Sequence, residues 1–274
     1  MRFPLKAAAA LVVVALLAYA GVRLFVHSGK LLEPVIVTKD MDVHHALSPS
    51  LGARVDRLLH DPAERDRANR PKLIALTFDD GPYPVTTPLL LETLRDLHVK
   101  ATFFYIGRDA ELYPELTQRT QQDGNEIADH TLTHPNLDEL SPEAVAAEIT
   151  QGATVLHRYS NDPGIDEYFR PPHGRYTEET VSVAKKLGYH TILWTDDPGD
   201  WRTVTGEELR AHITEHATAP EIVLLHSGRL PTIEMLPDLI RSFRADGYEF
   251  VTVGQLMRRV PADQINHPAK HAAA

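Results

Sequence analysis

Two adjacent carboxylates, Asp79 and Asp80, stand where an apolar run ends and a Gly81-Pro82 turn begins. Side chains that follow one another at a strand end point in different directions. The pair is therefore suited to two tasks, one carboxylate binding a metal and the other moving a proton. Taken alone, Asp-Asp-Gly-Pro is more simply a turn with two solvated acids. Further along, His130 and His134 are four residues apart, a spacing that on one helical turn places both imidazoles on one side. Two neutral histidines and one carboxylate make a three-ligand set that leaves a position open for water, as in catalytic zinc centres. In a chain with 15 histidines this spacing alone is weak, and the adjacent acidic pair is what gives it weight.

Those residues need a scaffold, and the sequence from Pro71 onward supplies one. Short apolar runs at Lys72 to Phe78, Ala101 to Ile106, Glu126 to Ala128, Glu167 to Phe169, Tyr189 to Trp194, Glu221 to Leu225 and Tyr248 to Val253 read as strands. Between them lie helical segments at Thr87 to Leu97, Ala110 to Gln122, Pro142 to Tyr159, Glu178 to Leu187, Gly206 to His216 and Pro231 to Arg244. Ser141 before Pro142 is a helix start signal, a capping serine followed by proline in the first turn. Alternating strands and helices imply βα units around a parallel sheet. Six or seven units in about 190 residues favour a closed or nearly closed α/β barrel, slightly short of eight units.

In such a barrel the reactive groups belong at the C-terminal ends of the strands. Polar residues collect there repeatedly. The first strand ends in Asp79-Asp80, the third in Asp129-His130-Thr131-Leu132-Thr133-His134-Pro135, and the fourth in Arg170-Pro171-Pro172-His173-Gly174. The fifth ends in Thr195-Asp196-Asp197-Pro198-Gly199-Asp200-Trp201 and the sixth in His226-Ser227-Gly228. Five such loops point to one converging site.

Composition limits what that site can be. The formal net charge of -10 argues against a nucleic-acid partner, which requires clustered Lys and Arg. There is no cysteine, so disulfides, thiol catalysis and thiolate metal ligands are excluded. Ala7 to Val26 is a run of twenty residues with one charge, Arg23, behind Arg2 and Lys6. This pattern is an export signal: a peptide cleaved after Ala18-Tyr19-Ala20, or an uncleaved membrane anchor, which needs about 20 apolar residues. Residues 27–70 read as a stalk with one short helix at Leu51 to Leu59, and the His44-His45 pair there as solvated loop. Residues 261–274 read as a disordered tail. The expected organisation is thus 1–26 signal or anchor, 27–70 linker, 71–260 barrel and 261–274 tail.

In order, TFDDGP, HTLTHP, FRPPHG, DDPGDW and LLH resemble the five motifs of the polysaccharide deacetylase family of carbohydrate esterases, the NodB homology domain, over roughly Pro71 to Val260. Each motif is modest and the ordered set is specific. The resemblance implies a distorted (β/α)7 barrel and a divalent metal, zinc with cobalt or nickel as options. It also implies removal of acetyl groups from N-acetylglucosamine polymers such as peptidoglycan or chitin, or from acetylated xylan. By the same resemblance Asp80, His130 and His134 are metal ligands, Asp79 the catalytic base, Arg170 its charge partner and His226 the general acid. Asp200 would hold His226 protonated, and Trp201 and Leu224 would wall the acetyl pocket. Two positions depart from the pattern: His173 stands where tyrosine is frequent, near the substrate, and Ser227 where aspartate is frequent. The expected protein is an exported monomeric N-deacetylase of an envelope or extracellular glycan, tethered to the membrane or secreted. The alternatives are an O-acetyl esterase and an inactive glycan-binding protein.

Overall fold

The computed structural model describes Val14–Ala18, Gly21–Phe25, Pro34–Val37 and residues 70–261 and 264–265. The chain falls into two compact units, Met1–Arg70 and Pro71–Ala274. In the first, strands β1 (Val14–Ala18), β2 (Gly21–Phe25) and β3 (Pro34–Val37) pair antiparallel in the order β1-β2-β3. The apolar run 7–26, expected as a single signal or anchor segment, is described only through β1 and β2, which pair with each other. An unbroken apolar run carries no period to separate strand from buried helix. No helix among the described residues is long and apolar enough to cross a membrane. The expected helix at Leu51 to Leu59, the His44-His45 pair and most of the tail lie outside the described residues.

The second unit alternates strands and helices: β4 (Leu73–Asp79), α1 (Thr86–Asp96), β5 (Thr102–Tyr105), α2 (Gly107–Leu112), α3 (Pro114–Gln122), β6 (Glu126–Asp129), α4 (Pro142–Leu156) and β7 (Tyr168–Phe169). It continues with α5 (Glu178–Lys186), β8 (His190–Thr191), α6 (Gly206–His216), β9 (Glu221–His226), α7 (Leu230–Ala245), β10 (Glu249–Phe250) and α8 (Val253–Arg259). The strands form one parallel sheet in the order β10-β4-β5-β6-β7-β8, with β9 on the other side of β4. The sheet curls until the segment after β8 meets β9 through the bridge Asp196↔Val223. This is a distorted (β/α)7 barrel, as the unit count implies.

Alternation along the strands decides what faces the barrel interior. Ile74, Leu76 and Phe78 of β4 pack outward with Leu90, Leu91 and Leu94 of α1 and Leu236, Leu239 and Ile240 of α7. Leu73 and Ala75 point inward with Phe104, Ala128, Tyr168 and Ile222. Both faces are buried, which is why these strands read as unbroken apolar runs. Extending the inward parity two residues at a time leads from Ala75 to Thr77 and Asp79, from Ala128 to His130, from Tyr168 to Arg170, and from Ile222 to Leu224 and His226. The reactive residues thus continue the inward rows at the barrel mouth.

Several boundaries differ from the sequence reading. The helix expected over Ala110 to Gln122 is two helices, because Pro114 opens α3 and cannot donate to the turn before it. The strand expected over Tyr189 to Trp194 is reduced to His190–Thr191, because residues 192–196 bend away to reach β9. Val253, expected in the last strand, starts α8 instead. Thr252 and Gln255 form a reciprocal capping box there.

Candidate active site

The acidic pair is built by the end of β4. Asp79 is the last strand residue, while Asp80 and Gly81 follow in left-handed conformations, φ 65° and 72°. Gly81 is required there, since a Cβ would come within 2.7 Å of Ser227 Oγ. Ser227 locks the turn: its N–H donates to the Asp79 carbonyl at 3.0 Å, and its hydroxyl lies 3.1 Å from both the Asp79 and Asp80 carbonyl oxygens.

The two carboxylates then separate. Arg170 donates from Nη1 to Asp79 Oδ1 at 2.6 Å and to Thr77 Oγ1 at 2.8 Å. The Thr77 hydroxyl donates onward to the Val223 carbonyl at 2.7 Å. Arg170 is fully buried and also donates from Nε and Nη2 to the carbonyls of Ile192 and Leu193. Its guanidinium lies 4.0 Å from the Phe104 ring and 5.7 Å from that of Trp194. Burial pulls the guanidinium pKa below its ordinary value, and the Asp79 charge opposes that pull. The other oxygen of Asp79, Oδ2, lies 3.7 Å from His130 Nε2.

Asp80 faces the histidines. Its Oδ1 is 3.3 Å from His134 Nε2 and 3.8 Å from His130 Nε2, and ligand atoms of the three residues all lie within 4.8 Å of one another. His130 Nδ1 donates to the Arg170 carbonyl at 2.8 Å. A carbonyl only accepts, so the proton sits on Nδ1 and the Nε2 lone pair is left for a ligand. Burial, reinforced by the neighbouring His130 and His173, depresses His134 to about 3 and keeps its imidazole neutral. A carboxylate and two neutral imidazoles are a donor set that fits a divalent metal.

The two histidines do not share a helical turn, as the four-residue spacing suggested. Residues 130–134 are a loop in which Thr131 and His134 adopt φ 69° and 64°. Thr131 N–H donates to Asp129 Oδ1, and His134 N–H to the Thr131 hydroxyl. Glu148 of α4 accepts from both the N–H and the hydroxyl of Thr133. The imidazoles, 4.8 Å apart by ring centroid, therefore converge through turn geometry.

His226 completes the mouth. It is the register partner of Asp79 across the β4/β9 pair. Its Nδ1 donates to Asp200 Oδ1 at 2.6 Å, and its backbone N–H to Asp200 Oδ2 at 2.9 Å. The Thr232 hydroxyl also donates to Oδ2, which holds the carboxylate still. Burial lowers the His226 pKa, but the Asp200 hydrogen bond and the charges of Asp79, Asp200 and Asp80 outweigh it and raise the value to about 9. The mouth therefore holds a basic-side pair, Asp79 with Arg170, and an acid-side pair, His226 with Asp200.

The remaining expected residues are placed unevenly. His173, in a left-handed turn at φ 57°, puts its ring 4.4 Å from that of His134. Leu224 is buried one step below His226 on the inward row. Trp201 is not enclosed: its residue is 53% exposed. The sequence reading gave no supporting role to four further residues. Thr77, two residues before Asp79, was legible from strand parity; Ser227, Thr232 and Phe104 meet the site only through the fold.

A parallel barrel carries at its mouth a carboxylate-histidine donor set that could hold a metal ion, a buried Asp79-Arg170 pair and a histidine of raised pKa. Residues 66–192 match the family model described as polysaccharide deacetylase. A peptidoglycan-N-acetylglucosamine deacetylase of Bacillus cereus is 36% identical over 195 residues, covering 69% of this chain and 90% of the relative. A chitooligosaccharide deacetylase of Azorhizobium caulinodans is 37% identical over 191 residues, covering 70% and 88%. Among solved structures, a peptidoglycan N-acetylglucosamine deacetylase, Bc1960, superposes with a TM-score of 0.65 at 28% identity, over 68% of this chain and 87% of that one. This chain belongs to the polysaccharide deacetylase family.

Proposed function

We propose that the protein hydrolyses the N-acetyl group of an N-acetylglucosamine-containing glycan of the cell envelope or its surroundings. The observation that carries this reading is the division of the acidic pair, with Asp79 held by Arg170 at 2.6 Å and Asp80 turned to His130 and His134. Asp80, His130 and His134 would hold a divalent metal such as zinc, cobalt or nickel, which supplies a water of lowered pKa and polarises the acetyl carbonyl.

The chain's own residues do the rest. Asp79 takes the proton of the attacking water, and Arg170 fixes the carboxylate so that only Oδ2 is free toward the mouth. The residues after Arg170 are Pro171 and Pro172, which carry no N–H, so the first backbone donor there belongs to His173. That N–H would stabilise charge developing on the acetyl oxygen. The departing amine is a poor leaving group. His226, protonated below about pH 9, gives its proton to that nitrogen as the C–N bond breaks, and Asp200 holds the imidazolium in place. Arg2, Lys6 and the apolar run 7–26 support an exported protein.

The test is acetate release by the full chain from chitooligosaccharide, peptidoglycan and acetylated xylan, each with and without a chelator. Release from the N-acetylated substrates, abolished by chelator, is expected. Release from xylan alone would replace this reading with an O-acetyl esterase, and glycan binding without release under any added divalent metal would replace it with a binding protein.

A further inference from the structure

The barrel is closed by Thr195 and Asp196. Both donate from their N–H groups to the Ile222 carbonyl, at 2.9 and 3.2 Å, and the Leu224 N–H donates back to the Asp196 carbonyl at 2.9 Å. A few residues further on, the same loop delivers Asp200 to His226. The closure therefore sets where the acid half of the site stands.

Asp196 is the bridge partner of Val223, whose side chain packs outward with Leu209 and Ile213 of α6. Asp196 thus emerges on the outward face, where His212 of α6 donates from Nε2 to its Oδ1 at 3.0 Å. The other oxygen, Oδ2, is buried without a hydrogen bond. Glu221, two residues before Val223, shares that face. It is fully buried, and no hydrogen bond of good geometry reaches either of its carboxyl oxygens. A buried carboxylate without a partner is costly, and two neighbouring ones resist ionising together. Burial first, and then the Asp196 charge, push the Glu221 pKa up to about 9 against the pull of the Thr218 backbone N–H. Burial also raises Asp196, with His212 opposing it.

Around this pair, α6 further contributes His216, whose ring stacks on that of His212 at 4.2 Å, and the loop contributes Asp197. Tyr248, before β10, is raised by burial and then by the Glu221 charge, and Lys72 Nζ lies 5.5 Å from its ring centroid. A loop tied to a helix needs only Asp196 and His212. The unpartnered acid on the same face makes that tie depend on a proton. We infer that Glu221 and the Asp196–His212 pair form a pH-sensitive latch on the barrel closure, which holds the Asp200 loop against His226 while Glu221 is protonated and releases it when Glu221 ionises.

The test compares the full chain with Glu221→Gln, which keeps the shape of the neutral acid. Folding raises the Glu221 pKa from 4.5 to about 9, so the stability it contributes is fully present below pH 4.5 and lost as pH rises through about 9. The variant should therefore melt increasingly above wild type from about pH 5 to about pH 9. Beyond that pH the Leu224 amide should exchange faster in wild type than in the variant. With metal loaded, wild-type kcat should fall about a hundredfold per pH unit as two protons are lost, against about tenfold in the variant, which loses only that of His226. A melting difference that stays constant with pH overturns the inference, as does a growing one with equal Leu224 exchange. Equal slopes of kcat remove the link to Asp200 and overturn it as well. If no acetate is released from any substrate, the deacetylase reading fails instead, and melting and exchange still decide the latch. Should Glu221→Gln not fold, Asp196→Asn takes its place, since it removes the repulsion and keeps an acceptor for His212, with the same protection of Leu224 expected.

Discussion

Asp79 and His226 lie opposite each other in register at the ends of the adjacent parallel strands β4 and β9. Each is held from behind by one oppositely charged partner, Arg170 at 2.6 Å and Asp200 at 2.6 Å. The proposed proton acceptor and the proposed proton donor are thereby fixed across one mouth, on neighbouring strands whose spacing is set by backbone hydrogen bonds.

Asp79→Asn removes the proton acceptor and keeps the shape. Deacetylation should fall about 10²- to 10⁴-fold, the usual contribution of general base catalysis, with bound metal retained. His130→Ala should instead lose metal. Acetate release and elemental analysis of the same preparations separate the two, and wild-type turnover in Asp79→Asn would end the assignment of the base.

As the proposed proton donor, His226 with its raised pKa should set the alkaline limb of activity. Proton donation requires the imidazolium, so kcat should fall as pH rises through about 9. Asp200→Asn removes both the hydrogen bond to a charged acceptor and the charge, so the limb should move toward lower pH. The linkage has the same sign. A folded pKa above the unfolded value of about 6.5 contributes stability that is fully present below pH 6.5 and lost as pH rises through about 9. A pH-rate profile and melting temperatures between pH 6 and 10 check both.

Arg170→Met leaves Asp79 buried without a counter-charge. Removing one partner of a buried pair typically costs about 3–5 kcal/mol, and urea unfolding should show a loss on that scale. Adding Asp79→Asn should recover a substantial part of it. A double variant no more stable than Arg170→Met alone would show that the loss comes from packing against Phe104.

Gly81→Ala places a methyl group 2.7 Å from the Ser227 hydroxyl at a positive φ, so it should destabilise by more than about 1 kcal/mol. Ser227→Ala removes that collision. A double-mutant cycle should therefore show a coupling of about 0.5–3 kcal/mol, the range for residues in contact. Additive losses would mean that backbone strain alone is responsible.

The barrel and its mouth were legible because β4, β6 and β9 are buried on both faces and their ends are marked by Asp79, His130 and His226. Short strands were harder. Tyr189 to Trp194 is apolar enough for a full strand, yet the closure at Asp196 takes most of it out of the ladder. The convergence of His130 and His134 followed from their spacing only by coincidence with the helical period. Its cause is two left-handed residues and a glutamate fifteen positions away in sequence, Glu148 against Thr133, which no local pattern announces. Ser227 was visible only as a departure from a motif. Its purpose, bracing the carbonyls of Asp79 and Asp80, needs the register of β4 with β9.

Arg170 acts through two separate parts. Its side chain grips Asp79, and its carbonyl fixes the tautomer of His130. Substitution at position 170 reaches only the first of these, because every residue type retains a carbonyl. The proposed proton acceptor and the proposed ligand set are therefore tied to one residue through different atoms, so a side-chain substitution at position 170 reaches Asp79 while the acceptor of the His130 Nδ1 proton stays in place.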